Sequence, residues 1–127
     1  MRYWKLLLCA ALTLVFSLAA HAAAPIKTYS PTEAAQAVGH HATICGVVAN
    51  VRFAINSPGS PTFINLGQPY PNEPFHIFIR GDDRPGFSPA PESWQGKEIC
   101  VTGNVRLYKG IPEIIARSSG QIRVLSK

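Results

Sequence analysis

Apolar residues dominate positions 6–20, where Thr13 and Ser17 are the polar exceptions, behind a short basic start that contains Arg2 and Lys5. This order, followed by small residues at Ala20 and Ala22, is typical of a secretory signal peptide and its cleavage site. A membrane anchor is the alternative, but such an anchor needs about 20 apolar residues. The sequence therefore predicts a signal peptide over residues 1–22, no membrane span after cleavage, and a periplasmic or secreted mature protein.

A short helix is predicted directly after the signal peptide. Ser30 is a suitable N-cap, Pro31 occupies the first helical position, and Glu33 completes a capping box. Gly39 ends the helix. We therefore assign residues 23–39 to a linker and a short helix.

From residue 40 onward the apolar residues recur with a period of two, which indicates strands separated by turns rich in Pro, Gly and Asn. The predicted strands are residues 43–53, 62–66, 75–80, 98–108 and 112–117, with a short sixth strand available at 121–125. A long first strand bent at Gly46, and a longest connection between the third and fourth strands, are the outline of an OB-fold barrel. We expect a mainly β protein, a five-stranded OB-fold barrel over residues 40–127 with a short N-terminal helix; a small β-sandwich is the alternative.

The mature chain is mildly basic. The sequence has 12 Lys and Arg against 7 Asp and Glu, and loss of Arg2 and Lys5 with the signal leaves a net charge of +3. This balance favours polyanions, but it excludes a protein that holds nucleic acid by charge alone. The remaining chain of about 105 residues is the usual size of one domain.

Two cysteines, Cys45 and Cys100, remain after the signal peptide removes Cys9. An even pair in an exported chain predicts one disulfide, which would stabilise the domain by about 4 kcal/mol on the chain-entropy model. Metal binding is less favoured because neither thiol has a partnering histidine or second cysteine nearby. Cys45 alternates with apolar residues and Cys100 with polar ones, so we expect a bulge at Gly46 or Gly103 to bring the two cysteines onto one face.

Four segments of the chain carry a family resemblance: TICGVV at 43–48, PTFINLG at 61–67 with YP at 70–71, CVTG at 100–103, and LYKGIPEI at 107–114. In these segments the sequence resembles small exported bacterial OB-fold proteins that are usually described as DNA-binding. It is also similar to OB-fold modules attached to some extracellular nucleases. The resemblance covers about residues 40–124, and 107–114 is its most specific part. It implies an OB-fold and a nucleic-acid ligand, and it implies no catalytic residues.

The strongest candidate binding surface follows from alternation on the third predicted strand. Phe75, Ile77 and Ile79 share one face, which we assign to the core. The opposite face carries an aromatic ring between groups that can meet phosphate, and the second strand extends it: these residues are His76, Phe78, Arg80, Phe63 and Asn65. Stacking on an aromatic side chain is worth about 1–3 kcal/mol per base, so two phenylalanines would add the affinity that charge cannot supply. Packing of Phe78 under a loop or helix is the alternative.

The predicted turn between the fourth and fifth strands adds Tyr108 and Lys109, with Arg106 on the same face as Tyr108. In an OB-fold this loop borders the ligand cleft. These three side chains are therefore candidate contacts to bases or phosphates. A tight hairpin whose Gly110 serves only the turn is the alternative.

Catalysis and metal binding are not supported by the sequence. Asp82 and Asp83 lie beside Arg84 in a predicted loop, where paired aspartates are usually turn formers, and His40 and His41 lie between a helix and a strand. No nucleophile triad, glycine-rich phosphate loop or His-Glu zinc motif is present in the sequence. We therefore expect no enzyme, no catalytic residues, no metal and no cofactor.

Two functions follow from these observations. The first is an exported OB-fold domain that binds nucleic acid, preferably single-stranded, by stacking on Phe63 and Phe78 while Arg80, Arg106 and Lys109 hold phosphates. The second is an envelope domain that uses the same face to bind a small molecule, a peptide or a protein partner.

Overall fold

A computed structural model describes residues 13–19 and 24–125. The predicted cleavage site at Ala20 and Ala22 and the signal-peptide residue Cys9 lie outside the described residues. Residues 13–19 are exposed and belong to neither a helix nor a strand. Within these two ranges the structure contains no helix long and apolar enough to cross a membrane.

Strands make up most of the regular structure, which confirms the mainly β class. The strands are β1 (Thr28–Tyr29), β2 (His41–Phe53), β3 (Thr62–Leu66), β4 (Phe75–Ile79), β5 (Glu98–Tyr108), β6 (Ile111–Ile115) and β7 (Ile122–Val124). The helices, all of 3₁₀ type, are Pro31–Ala37, Arg84–Gly86, Pro91–Trp94 and Ser119–Gln121. The described part thus has seven strands where five were expected: β7 is the short tail strand, and β1, with two residues, is too short to show a period.

All seven strands belong to one sheet, in the order β1-β2-β3-β4-β6-β5-β7, and β2 also pairs with β5. Strand β2 is long because its first half pairs with β5, from His41 to Val47, and its second half pairs with β3. The strands β2, β3, β4, β6 and β5 therefore form a closed ring of pairings, in which β4 and β6 run parallel.

The bend in β2 is not where it was expected. The register of β2 against β3 shifts between Val48 and Asn50, and pairing through Gly46 is regular. Gly46 has a different role, because a Cβ there would lie 2.4 Å from Cγ of Pro31. The missing side chain lets the start of the N-terminal 3₁₀ helix press directly onto β2.

That helix begins as the sequence predicted. The Glu33 carboxylate accepts the backbone N–H of Ser30 at 3.0 Å, and this hydrogen bond lowers the pKa of Glu33. Ala34 and Ala37 on its inner side are fully buried. They cover a core formed by the predicted inward faces of β3 and β4 with β2, β5 and β6, whose largest members are Phe75, Ile44, Ile64, Leu66, Ile77, Ile79, Ile99 and Ile114.

The predicted disulfide is present. Cys45 and Cys100 lie directly opposite each other on β2 and β5 and are bonded. The expected bulge at Gly46 or Gly103 is wrong, because β2 and β5 pair in unbroken register from His41 to Val47. The inward residue beside Cys45 is Ile44, which is fully buried, whereas the apolar Val47 is 51% exposed. A disulfide of this kind is typical of an oxidising compartment.

Candidate functional site

A cleft of about 340 Å³ opens on the outer face of the sheet, between the β3–β4 connection and the β5–β6 hairpin. Alternation on β3 and β4 turns their polar and aromatic side chains towards it, and Lys109 and Gly110 form the hairpin with positive φ angles of 49° and 80°. Such a two-residue turn matches the twist of its strands and holds their ends at the cleft. The lining residues are Arg52, Phe63, Asn65, Tyr70, Pro71, Glu73, His76, Tyr108, Lys109 and Ile111.

The rim of the cleft combines aromatic rings with cations. The guanidinium carbon of Arg52 lies 5.1 Å from the ring centroid of Phe63 and 5.4 Å from that of Tyr70. Nζ of Lys109 lies 5.4 Å from the ring centroid of Tyr108. In the part of the chain that the structure describes, the ion pairs involve other cations, so Arg52 and Lys109 have no carboxylate partner there. Both charges are therefore available to an anionic ligand.

Beneath the rim lies a buried chain of ionisable groups. His76 Nε2 lies 2.6 Å from Glu113 Oε2, and Glu113 Oε1 accepts a hydrogen bond from Arg106 Nε at 2.9 Å. The side chain of His76 is 4% exposed and that of Glu113 is fully buried, but Arg106 is 53% exposed. A carboxylate oxygen only accepts hydrogen bonds, so His76 Nε2 donates to Glu113 Oε2. This series of hydrogen bonds connects His76 at the cleft floor, through Glu113, to the half-exposed guanidinium of Arg106.

Glu73 approaches the other side of the same histidine ring. Its Oε1 lies 3.6 Å from His76 Nδ1, which is too long for a hydrogen bond. Glu73 Oε2 and His76 Nδ1 are both buried and have no hydrogen-bond partner within the described ranges. Most buried polar atoms have a partner. The cleft floor therefore contains unused hydrogen-bonding capacity.

Five of the eight candidate binding residues line this cleft: Phe63, Asn65, His76, Tyr108 and Lys109. Asn65 and His76 are cross-strand neighbours, as are Phe63 and Phe78. Asn65 and His76 are, however, only 2% and 3% exposed, so they form the floor and not an open surface. The side-chain amide of Asn65 donates to Asn50 Oδ1 at 2.9 Å, which fixes its orientation.

The other three candidates lie outside the cleft. Phe78 is half-buried and packs edge-on against Phe63, with ring centroids 5.3 Å apart, so it supports the stacking residue from behind. Arg80 is exposed beyond the end of β4. Arg106 is held by Glu113 and lines a second cleft of about 350 Å³, together with His41, Gly103, Asn104, Ile115, Arg117 and Gln121.

Arg52, Tyr70, Glu73 and Glu113 belong to the site but were not selected from the sequence. The available signal for Glu113 is a single charged residue inside the apolar strand Ile111–Ile115. Tyr70 and Glu73 lie in a proline-rich connection; Tyr70 is part of the family resemblance, but strand alternation selects neither residue as a contact. The aromatic neighbours of Arg52, which are Phe63 and Tyr70, come from other segments, so no local pattern distinguishes Arg52 from a solvated surface charge.

The aspartates of the predicted loop do not form a metal cluster. Among the described residues, no group of three or more His, Cys, Asp or Glu side chains could hold a metal ion. Arg84 connects this loop to the sheet, because its guanidinium donates to Thr62 Oγ1 at 2.8 Å and lies over the ring of Phe53. It also donates to both carboxylate oxygens of Glu92, at 2.6 and 2.8 Å. Burial alone would raise the pKa of Glu92, but the hydrogen bonds from Arg84 outweigh it and the pKa lies below its ordinary value.

The fold and the cleft together define a small, mainly β domain whose central strands pair in a ring. Neither a protein-family model nor a curated protein matches the sequence. Among solved structures, the chain is similar to the OBody AM1L10, solved bound to hen egg-white lysozyme, with 16% identity, a TM-score of 0.52, and coverage of 84% of this chain and 100% of that chain. It is also similar to a chain assigned as an aspartyl-tRNA synthetase from Leishmania major Friedlin, with 10% identity and a TM-score of 0.50.

The similarity to the synthetase covers 87% of this chain but only 23% of the synthetase chain. At identities of 16% and 10%, both likenesses describe the fold and not the activity. Function must therefore be argued from the cleft itself.

Proposed function

We propose that the mature protein is an exported OB-fold domain that binds single-stranded nucleic acid in the cleft. The observation that most directly supports this proposal is the composition of the rim. Three aromatic side chains and two cations without a carboxylate partner among the described residues surround one opening. Support for the fold comes from the ring of five paired strands, from the long β2 that joins both halves of the ring, and from the two structural likenesses. Support for export comes from the disulfide and from the apolar segment at residues 6–20.

The rim suits a nucleobase and its phosphates. Bases stack on aromatic side chains without requiring a particular sequence, and arginine and lysine bind the phosphates between them. Phe63, Tyr70 and Tyr108 supply the rings, so the two tyrosines replace Phe78 in the original expectation. The volume of about 340 Å³ lies at the small end of ligand pockets, which span about 300–1,000 Å³. One base can enter while the backbone crosses the rim.

The proposal also assigns the chain to the small exported bacterial OB-fold proteins it resembles, with a signal peptide at 1–22 and the domain at 40–127. In this assignment the protein is a binding module and not an enzyme. The best-matching segment, 107–114, contains both Tyr108 and Lys109 at the rim and Glu113 beneath it. The resemblance is therefore concentrated where the cleft is.

A peptide, small-molecule or protein partner in the envelope is the second candidate. It is favoured by the unpartnered acceptors of Glu73 and His76, which could receive an amine as well as a base. Arg52 and Lys109 argue against a cationic partner because any such group must pass between two positive charges. The anionic polymer is consequently the better fit.

Fluorescence anisotropy with a labelled single-stranded oligothymidine tests the proposal. We expect binding at low salt with a dissociation constant in the range of about 10–100 μM, and weaker binding as salt rises. Arg52→Ala should weaken binding and reduce the slope of log K against log salt by about 0.7, the value for one phosphate contact on a single strand. Arg80→Ala is the matched control, since Arg80 is exposed and outside the cleft.

Absence of binding at tens of micromolar protein in low salt would refute the proposal. Equal effects of the two arginine substitutions would also refute it, because the cleft would then contribute nothing beyond overall charge. Binding of a lysine-rich peptide in place of the oligonucleotide would favour the second candidate.

A further inference from the structure

The floor of the cleft presents acceptors without donors. His76 Nε2 donates to Glu113, so in the neutral ring Nδ1 carries only a lone pair. Oε1 of Glu73 lies 3.6 Å from this nitrogen, and a carboxylate oxygen accepts hydrogen bonds. While the ring is neutral, these two acceptors repel each other unless a donor lies between them. Glu73 is 6% exposed and His76 is 3% exposed, and both side chains line the cleft, so a donor that enters the cleft is the available partner.

We propose that the cleft selects guanine, whose Watson–Crick edge supplies the donors that Glu73 and His76 lack. This inference rests on the proposed function and names the base that occupies the site. Guanine carries an imino N–H next to an amino group. The amino group donates one hydrogen to His76 Nδ1 and the other to Glu73 Oε1, and the imino N–H donates to Glu73 Oε2.

The other bases match this floor less well. Adenine and cytosine each offer an amino group, which can bridge Glu73 and His76, but the ring nitrogen beside it is an acceptor that faces the second oxygen of Glu73. Thymine and uracil offer one imino N–H between two carbonyl oxygens, which meet the acceptors unfavourably. Bases in single strands are commonly distinguished on this edge. The expected order is guanine first, then adenine and cytosine, then thymine.

The rim is compatible with this occupant. Phe63, Tyr70 and Tyr108 surround the opening and can stack on a purine ring. Arg52 and Lys109 lie beside these rings and carry the charges that attract the adjoining phosphates. Specificity thus comes from the buried floor and affinity from the rim.

The test is a competition anisotropy experiment on the mature protein with thymidine 11-mers that differ only at the central nucleotide. Central deoxyguanosine should bind about tenfold more tightly than central thymidine, a ratio within the range for a bidentate base contact. Deoxyinosine, which keeps the imino N–H but lacks the amino group, should lose most of this advantage. Because deoxyinosine changes the ligand and not the protein, this arm does not depend on the folding of a variant.

Glu73→Gln should reduce the guanine preference, measured as the ratio of the affinities for the central-deoxyguanosine and all-thymidine strands, below about twofold. Glu98→Gln, at an exposed position in the half of the sheet away from the cleft, is the matched control and should keep the preference. Equal binding of all central bases by the wild type, or an undiminished preference in Glu73→Gln, would overturn the guanine inference while leaving the proposed function standing. Failure of every oligonucleotide to bind would overturn both.

Discussion

Glu113 is the residue whose replacement tests the buried part of the site most directly. Its Oε2 lies 2.6 Å from His76 Nε2, and its Oε1 accepts a hydrogen bond from Arg106 Nε at 2.9 Å. The side chain of Glu113 has no solvent exposure. Glu113→Leu would leave the ring Nε2 of His76 buried without a partner. The guanidinium of Arg106, whose side chain is half-exposed, would instead be hydrated.

The size of the effect follows from this asymmetry. Removal of one partner from a buried pair costs about 3–5 kcal/mol, and we expect about 3 kcal/mol here because Arg106 recovers its hydration. His76→Leu should cost a similar amount, since it leaves Glu113 buried beside a single exposed cation. The double substitution replaces the pair by apolar side chains and should cost only about 1–2 kcal/mol, far less than the sum of the single changes.

Urea unfolding of the four proteins, followed by the fluorescence of the buried Trp94, measures these differences. In thermal unfolding followed by the same fluorescence, the single variants should lower the melting temperature by about 12–24 °C, taking 4–8 °C per kcal/mol for a domain of this size. The reasoning is refuted if the double variant loses as much stability as the two single variants combined, because the pair would then have no coupling energy.

Three further predictions concern other parts of the fold. Gly46→Ala should cost about 1–3 kcal/mol by pushing Pro31 off β2, whereas Gly86→Ala, with open space around its Cβ, should be nearly neutral; equal urea midpoints would contradict this. Reduction of the disulfide, which closes 55 residues, should lower stability by about 4 kcal/mol in the same assay, and an unchanged midpoint would exclude that role. Glu92→Gln should destabilise by less than about 1 kcal/mol at pH 7, because the pair with Arg84 is partly exposed. Since the pKa of Glu92 is lowered, this difference is present above its ordinary value of 4.5 and should vanish as the pH falls through the lowered value; a difference that grows on acidification would contradict the assignment.

Local patterns were sufficient to locate the strands. The predicted bounds 62–66 and 98–108 are those of β3 and β5, since alternation and turn residues mark both ends of each strand. Strand β2 was harder because apolar residues occupy both of its faces. Val47 belongs to the apolar set that alternates with Cys45 but is half-exposed, and the register shift after Val48 exchanges the two faces.

The cleft could be predicted only in part because its floor depends on distant pairings. Phe63 and His76 were found because each lies on a strand with clear alternation. Glu113 is 37 residues from His76, and the two meet through the parallel pairing of β4 and β6, which no local pattern specifies. Tyr70 and Glu73 lie in an irregular connection, whose conformation depends on the whole sheet.

The edge strands β1 and β7 determine how the domain can be tethered. Strand β1 pairs with the first half of β2, and β7 pairs with β5 where Arg123 lies opposite Cys100. Both ends of the described domain therefore emerge beside the disulfide-linked strands, whereas the cleft is built on the other half of the sheet. A surface anchor or a fused protein joined at either end would hold the domain by its cross-linked side and leave the cleft facing outward. Tension applied between the two ends would be carried by β1, β2, β5 and β7, with a covalent bond at the centre, and would bypass the cleft.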